Sequence, residues 1–317
     1  MASASKCIDR MQAHRILFFF LLGMLAFISP RPYMPTVAAR PSGAFDGTRA
    51  FAHLRRLVEM GPRFSGSPGQ RQAQEYIMNE LSRCNIKVKE QVYKLKTPRG
   101  PQTMKNIIGM IPGISDEVII LGTHYDTKYL EGIEIVGAND GASGPSVVLE
   151  LAECLSRKTP EPSIWLVFFD GEESFGKNVP SDCLYGSRYF LHDLKLSGSI
   201  AKVKAAIILD MVGDAHLGLE KEYFSAKWLT DIVWRNARRL GHEKQFIDIR
   251  SYTNGDHIPF VNENIPVLSL NDFHYGSWWH ANTYWHSAED TLDKVSRYSL
   301  ETVGEVVLAS LPEIAAN

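Results

Sequence analysis

The stretch Ile164-Trp-Leu-Val-Phe-Phe-Asp-Gly-Glu-Glu173 runs six apolar residues, most of them β-formers, into two adjacent glutamates. A short apolar run rich in branched and aromatic side chains and closed by a turn residue reads as a buried strand. Its carboxyl end delivers Glu172 and Glu173 side by side. In an open parallel α/β sheet, ligands collect outside the carboxyl ends of the strands. Two neighbouring acids there can divide the work, one holding a metal and the other moving protons. On its own, an acidic pair after a strand is most often a solvated turn. Three further strand-to-acid or strand-to-histidine junctions in the same chain change that reading.

Working outward, Val118-Ile-Ile-Leu-Gly122 is a second short strand, ending at Thr123-His124-Tyr125-Asp126. Lys204 to Met211 is a third, ending at Asp210, and Pro266 to Leu270 a fourth. Between and beyond them, Ser146 to Arg157, Trp228 to Leu240 and Leu300 to Leu311 carry apolar residues at helical spacing. Upstream, Arg49 to Met60 and Gln70 to Cys84 read as amphipathic helices. Ile86 to Tyr93 and Met104 to Ile111 read as strands. Strands alternating with helices predict a single α/β domain, a mixed, mainly parallel sheet with helices on both faces. No internal repeat occurs, and no domain boundary is expected after residue 45.

The chain's start reads differently. Lys6, Arg10 and Arg15 precede the apolar core Ile16 to Ser29, and Val37-Ala38-Ala39 offers small residues for cleavage. Residues 1–39 are therefore expected to be a secretory signal or an N-terminal membrane anchor, followed by a linker over 40–48 and a catalytic domain over 49–317. The apolar run is shorter than the ~20 residues a spanning helix prefers. Periplasmic or secreted localisation follows, with membrane anchoring by this segment as the variant.

The whole sequence carries a net charge of −2, and loss of residues 1–39 would make it more acidic. No basic patch interleaved with aromatics occurs, which argues against nucleic-acid binding. A hydrophobic fraction of 44% and a charged fraction of 22% exclude disorder as the main state. Cys84, Cys154 and Cys183 remain after the signal, an odd count that cannot all pair within one chain. Their spacing gives no structural zinc motif, and one disulfide is compatible with it.

The chemistry-bearing groups are His124 and Asp126, Asp140 in Gly137-Ala-Asn-Asp-Gly141, Glu172-Glu173, Asp210, and His286 in Tyr284-Trp-His-Ser287. Imidazole nitrogen with carboxylate oxygen suits Zn²⁺, and an open catalytic site needs three protein ligands. This set can hold one ion or two. Each member also has an ordinary reading: a hydrogen bond for His124, a turn for Asp140, a helix cap for Asp210, aromatic packing for His286. Jointly those readings require several polar strand ends in one sheet to be incidental. Phe273-His-Tyr-Gly-Ser-Trp-Trp-His280 is a substrate rim, a partner surface or simply packed. Arg235, Arg238 and Arg239 read as a solvated helix face.

The ordered set His124-Tyr-Asp126, Asp140-Gly, Glu172-Glu173, Asp210 and His286 resembles the zinc-dependent aminopeptidase superfamily, over about residues 49–316. Gly66-Ser-Pro-Gly69 and Asn106-Ile-Ile-Gly109 are similar to that family as well. His124 to Leu130, Leu184-Tyr-Gly-Ser-Arg188, Asp256-His-Ile-Pro-Phe260 and Trp285-His286 resemble its glutaminyl cyclase branch, in the bacterial-type form. That resemblance implies one zinc held by Asp140, Glu173 and His286, with Glu172 as proton shuttle and Asp210 and Asp256 as acidic partners. It implies a substrate site with Trp285, Lys128 and Phe260, peptide or protein N-termini as substrates, and a monomer. If the chain is instead similar to the two-metal aminopeptidases, His124 and Asp210 hold a second zinc and Asp140 bridges. Two departures stand out. Asn178 occupies the place of a cyclase tryptophan, so one pocket wall is expected to differ, and Thr123 replaces a cysteine of the animal enzymes, which implies that their nearby disulfide is absent.

Three functions then compete. The first is a cyclotransferase converting N-terminal glutamine to pyroglutamate with release of ammonia. The second is an exported two-zinc aminopeptidase, and the third a binding domain without catalysis. An intact Glu172 argues against the last, because a scaffold has no use for the base.

Overall fold

The computed structural model describes residues 43–176, 181–276 and 282–317. Along the chain lie α1 (Gly47–Glu59), α2 (Pro68–Arg83), β1 (Lys87–Thr97), β2 (Gly100–Ile111), β3 (Ser115–His124) and α3 (Ser143–Leu155). Then follow β4 (Pro162–Phe169), α4 (Tyr185–Leu196), β5 (Val203–Asp210), β6 (Leu219–Glu222) and α5 (Lys227–Leu240). The chain closes with β7 (Phe246–Ser251), α6 (His257–Asn262), β8 (Val267–Asn271) and α7 (Arg297–Ala316). The expected signal segment and Asn178 lie outside the described residues. No described helix is long and apolar enough to cross a membrane.

Six strands form one sheet in the order β1-β2-β4-β3-β5-β8. The β1–β2 hairpin and the β2–β4 pairing are antiparallel, while β4, β3, β5 and β8 run parallel. The mixed, mainly parallel α/β sheet is thus the expected one. Side chains alternate across it, as the two-residue strand period demands. Ile119, Leu121, Ile207 and Leu209 enter the core beneath α1, α2, α3, α5 and α7. Val118, Ile120, Ala206 and Ile208 face the other core, with Phe190 of α4 and Phe260 of α6.

The linker read over 40–48 ends sooner than expected. Phe45 is buried in the main core, and Asp46 caps α1 by accepting the N–H groups of Thr48 and Arg49. Helix α4 is not among the elements expected from the sequence. A glycine in the first turn obscures it, but the packing requires that glycine. A Cβ at Gly186 would stand 2.7 Å from both the Asn106 side chain and the Asp170 carbonyl. The two-stranded β6–β7 ribbon and α6 are too short to give a periodic signal.

Because four neighbouring strands run parallel, their carboxyl ends open on one edge. That edge receives His124 from β3, the turn Asp170 to Glu173 after β4, Asp210 from β5 and Asn271 from β8.

Candidate metal centre and active site

Two overlapping groups converge at that edge. In one, His124 Nε2 lies 3.1 Å from Asp210 Oδ1 and 3.3 Å from Asp140 Oδ1. In the other, His286 Nε2 lies 2.9 Å from Glu173 Oε1 and 3.4 Å from Asp140 Oδ2. Asp140 belongs to both, one oxygen turned to each. Ligands around a tetrahedral zinc at ~2.0 Å stand about 3.3 Å from one another, so these spacings suit metal donors. Glu173 Oε1 and His124 Nδ1 are buried without hydrogen bonds. For Glu173 Oε1 this holds although His286 Nε2 stands 2.9 Å away. The residues present therefore fit a divalent, borderline-soft cation.

The surrounding scaffold fixes each donor. Asp126 accepts the N–H of Glu172 on one carboxylate oxygen and that of Glu173 on the other, at 3.1 and 3.2 Å. The same side chain stands 3.6 Å from His124 Nδ1. Asp170 anchors the turn from below by accepting from Ser65, Gln70 and the Lys105 N–H. Around Asp140, Gly141 adopts φ +93, and a Cβ there would come within 2.2 Å of the Asp126 carbonyl. Asp290 accepts the N–H groups of Asn139 and Asp140. Arg63, fully buried, donates to the carbonyls of Leu57, Tyr125, Val136 and Gly137 and so pins the approach to Asp140. Arg63 and Asp290 gave no signal in the sequence, because their work is done on backbone atoms far along the chain.

A cavity of about 600 Å³ opens over the second group and is lined by Asp140, Glu172, Glu173, Asp210, Trp285 and His286, among others. Trp285 stacks flat on His286, with centroids 3.8 Å apart and planes at 23°, and Phe273 meets Trp285 edge-on at 5.1 Å. Phe273 thus answers for part of the aromatic stretch. Tyr275 is packed, donating to Asp290, and His274 is exposed beside Glu220. Residues 277–281, including His280, lie outside the described residues.

Several backbone positions at this rim are left-handed. Among the described residues, the non-glycine positions with positive φ are three asparagines, which tolerate that region, and three others, Leu184, Met211 and His286. All three of these line the cavity. Each costs on the order of 1 kcal/mol or more, held by the surrounding structure.

Electrostatics divide the carboxylates. Burial raises Glu172 well above the usual carboxylate range, with Glu173, Asp256 and Asp210 adding to it and His124 opposing. Burial and the Glu173 charge lift Asp140 to about 7. Burial also works against the Glu173 charge, but the adjoining His286, with Lys128 and His124, brings its carboxyl down to about 2. Burial likewise opposes charge on the histidines. Asp126, Asp140 and Asp210 nevertheless hold His124 well above its ordinary value, and Glu173 and Asp140 raise His286. The site thus draws cations, and a metal can replace the protons it holds.

Not every expected residue meets the cavity. Lys128 is buried with its ammonium on the Ser174 carbonyl and hydroxyl, 3.5 Å from Glu173 Oε2. It sits behind Glu173 instead of facing substrate, because a buried ammonium must be paired. Phe260 is fully buried against Phe169 and Phe190, so it is core and not pocket wall. Asp256 also lies behind the surface: its Oδ1 accepts from Ser187, its Oδ2 has no partner, and burial lifts it to about 7. Asp210 faces the cavity, its Oδ2 accepting from Asn271. No disulfide joins Cys84, Cys154 and Cys183, so the one left open by the sequence is not formed among them.

A doubly covered sheet that presents two His–carboxylate triads sharing one aspartate defines a zinc exopeptidase-type enzyme. The chain belongs to Peptidase family M28, whose model matches residues 106–311. Among solved structures it is similar to a glutaminyl cyclase from an Acidobacteriales bacterium, at 34% identity and a TM-score of 0.83, covering 88% of this chain and 98% of that one. It is 28% identical over 284 residues to the glutaminyl-peptide cyclotransferase of Boiga dendrophila, covering 77% of this chain and 75% of the relative. A Zn-dependent exopeptidase from Parabacteroides distasonis also shares the fold, at 26% identity and a TM-score of 0.78, covering 87% of this chain and all of that one.

Proposed function

We infer that the chain is a zinc-dependent glutaminyl-peptide cyclotransferase, converting the N-terminal glutamine of peptides and proteins to pyroglutamate with release of ammonia. The observation that carries this reading is the 34% identity over 98% of a glutaminyl cyclase chain, with the chemistry-bearing residues gathered at one cavity. Asp140, Glu173 and His286 would hold the catalytic ion. All three line the cavity, whereas His124 does not. When bound, the zinc supplies Lewis acidity toward the side-chain amide carbonyl of the substrate.

The chain's own residues account for the rest. Glu172, beside that group in the cavity, takes a proton from the substrate α-amine as its nitrogen bonds to the carbonyl carbon of the side-chain amide, Cδ. It returns the proton to the amide nitrogen as the old C–N bond breaks, and ammonia leaves. Burial, with the neighbouring Glu173, Asp256 and Asp210, raises the basicity of Glu172 for the first step. Trp285, held flat by His286, offers an apolar wall that restricts the substrate's rotamers and keeps water from competing. Ring closure is intramolecular, so orientation supplies much of the acceleration. The pattern of residues 6–39 supports export, and action outside the cytoplasm as a monomer belongs to this reading.

The complete His124, Asp140, Asp210 triad favours a second reading, an aminopeptidase with two zinc ions. One experiment separates the two: purified protein is given a glutaminyl peptide and a leucyl chromogenic amide, and zinc is counted in the same sample. Ammonia release with one zinc per chain and no leucyl cleavage is expected. Leucyl cleavage with two zincs and no ammonia would overturn the cyclase reading.

A further inference from the structure

Beyond the cavity, three exposed aromatic rings form a continuous path. Tyr252 lines the cavity and is 64% exposed. Phe224 meets it edge-on at 5.7 Å, and Tyr223 meets Phe224 edge-on at 5.3 Å. Tyr223 and Phe224 are likewise exposed, an unusual display for large rings. The path has a structural origin. Strands β6 and β7 pair in parallel, so the residues following each leave at the same end. The Tyr223 N–H donates to the Ser251 carbonyl, which ties the two exits together. Buried Glu222 accepts from the Phe224 N–H at 2.8 Å and from the Ser225 hydroxyl at 3.1 Å, which fixes the turn carrying the outer rings. The next residues after Tyr252, Thr253 and Asn254, return directly to the cavity wall.

We propose that Tyr252, Phe224 and Tyr223 form a docking track for the substrate chain beyond its N-terminal glutamine. The track selects peptides and protein N-termini with apolar or aromatic residues at alternate positions, two, four and six. This rests on the cyclotransferase reading. An extended peptide advances ~3.3 Å per residue, and side chains on one face recur at about 6.6 Å. Ring steps of 5.7 and 5.3 Å approach that repeat, so alternate side chains of an extended substrate meet successive rings. The occupant follows from continuity: whatever enters the cavity by its amino end must leave it as polypeptide, and the aromatic face adjoins the exit. Edge-to-face contact with rings already held apart in this way adds affinity at little ordering cost.

The test compares kcat/KM for a glutaminyl hexapeptide with apolar residues at positions two, four and six against kcat/KM for glutamine amide, which cannot reach the track. The expected wild-type ratio favours the peptide. Phe224→Ala is expected to lower that ratio about threefold to tenfold, and Phe224→Leu to retain most of it. Tyr252→Ala should lower it too. An unchanged ratio in the Phe224→Ala protein, with both substrates still cyclised, overturns the track and leaves the cyclotransferase reading standing. So does an unchanged ratio accompanied by loss of self-association in sedimentation, which would give the rings to a second copy. Failure of the wild-type protein to cyclise either substrate overturns both.

Discussion

Asp290 holds Asp140 through the backbone: its two carboxylate oxygens accept the N–H groups of Asn139 and Asp140 at 2.7 and 3.0 Å. Asp290 follows His286 by only four residues, so one loop carries a metal donor and the clamp for another donor that meets it. Tyr275 completes the clamp with a hydrogen bond to Asp290 Oδ1. Groups that orient ligands are typically worth about 10- to 100-fold in metal affinity. Asp290→Asn should weaken zinc binding by that order in chelator competition while the far-ultraviolet circular dichroism stays native. An unaltered zinc affinity would show that Asp140 is positioned without it.

Glu172 contacts the cavity but belongs to neither donor group. Glu172→Gln keeps the shape and removes the proton acceptor. We expect kcat to fall about 10²- to 10⁴-fold with zinc content unchanged. Wild-type turnover in this variant would sink the proton-transfer role.

The raised His286 and Asp140 imply that metal loading is linked to protons. Zinc requires the His286 imidazole to be neutral and the Asp140 carboxyl ionised, so binding at this group expels protons. Apparent zinc affinity should fall as pH falls. Calorimetry in buffers of different ionisation enthalpy should report net proton release, and a buffer-independent enthalpy would contradict it.

Away from the site, burial pushes Asp272 up to about 6 although it accepts from the Gly218 and His274 N–H groups, with Asp214 adding to the shift. Its folded value lies above its unfolded value. The contribution is therefore fully present below about pH 4 and is lost as pH rises through about 6, an effect of about 3 kcal/mol. Asp272→Asn stays neutral throughout. Denaturant titrations of both proteins from pH 4 to 7 should show the wild type losing stability relative to the variant as pH rises. A constant gap would refute the assignment.

The strands that carry the site were legible because each is a short apolar run closed by a chemical residue, as at Ile164 to Glu173 and Val118 to Asp126. His124, Glu173 and Asp210 were legible for the same reason, since strand ends in a parallel sheet share an edge, whereas Asp140 and His286 lie in loops and were grouped into triads by the family resemblance. The misplaced residues share another cause. Lys128 and Phe260 sit in motif stretches, but sequence does not say which face of a segment meets the cavity, and burial sends both inward. Arg63 and Asp290 were invisible because they act on peptide groups, which have no sequence signature. The aromatic track depends on β6 and β7 ending side by side, a register that neither strand encodes alone.

The left-handed backbone at Leu184, Met211 and His286 has a practical meaning for anyone seeking a hardier enzyme. Glycine at Met211 would relieve a conformational penalty of about 1 kcal/mol, but Met211 is buried, and emptying such a site costs about 2–5 kcal/mol. Heat tolerance and turnover should then fall together, since the packed side chain that holds the twist also keeps the strand end aimed at the cavity.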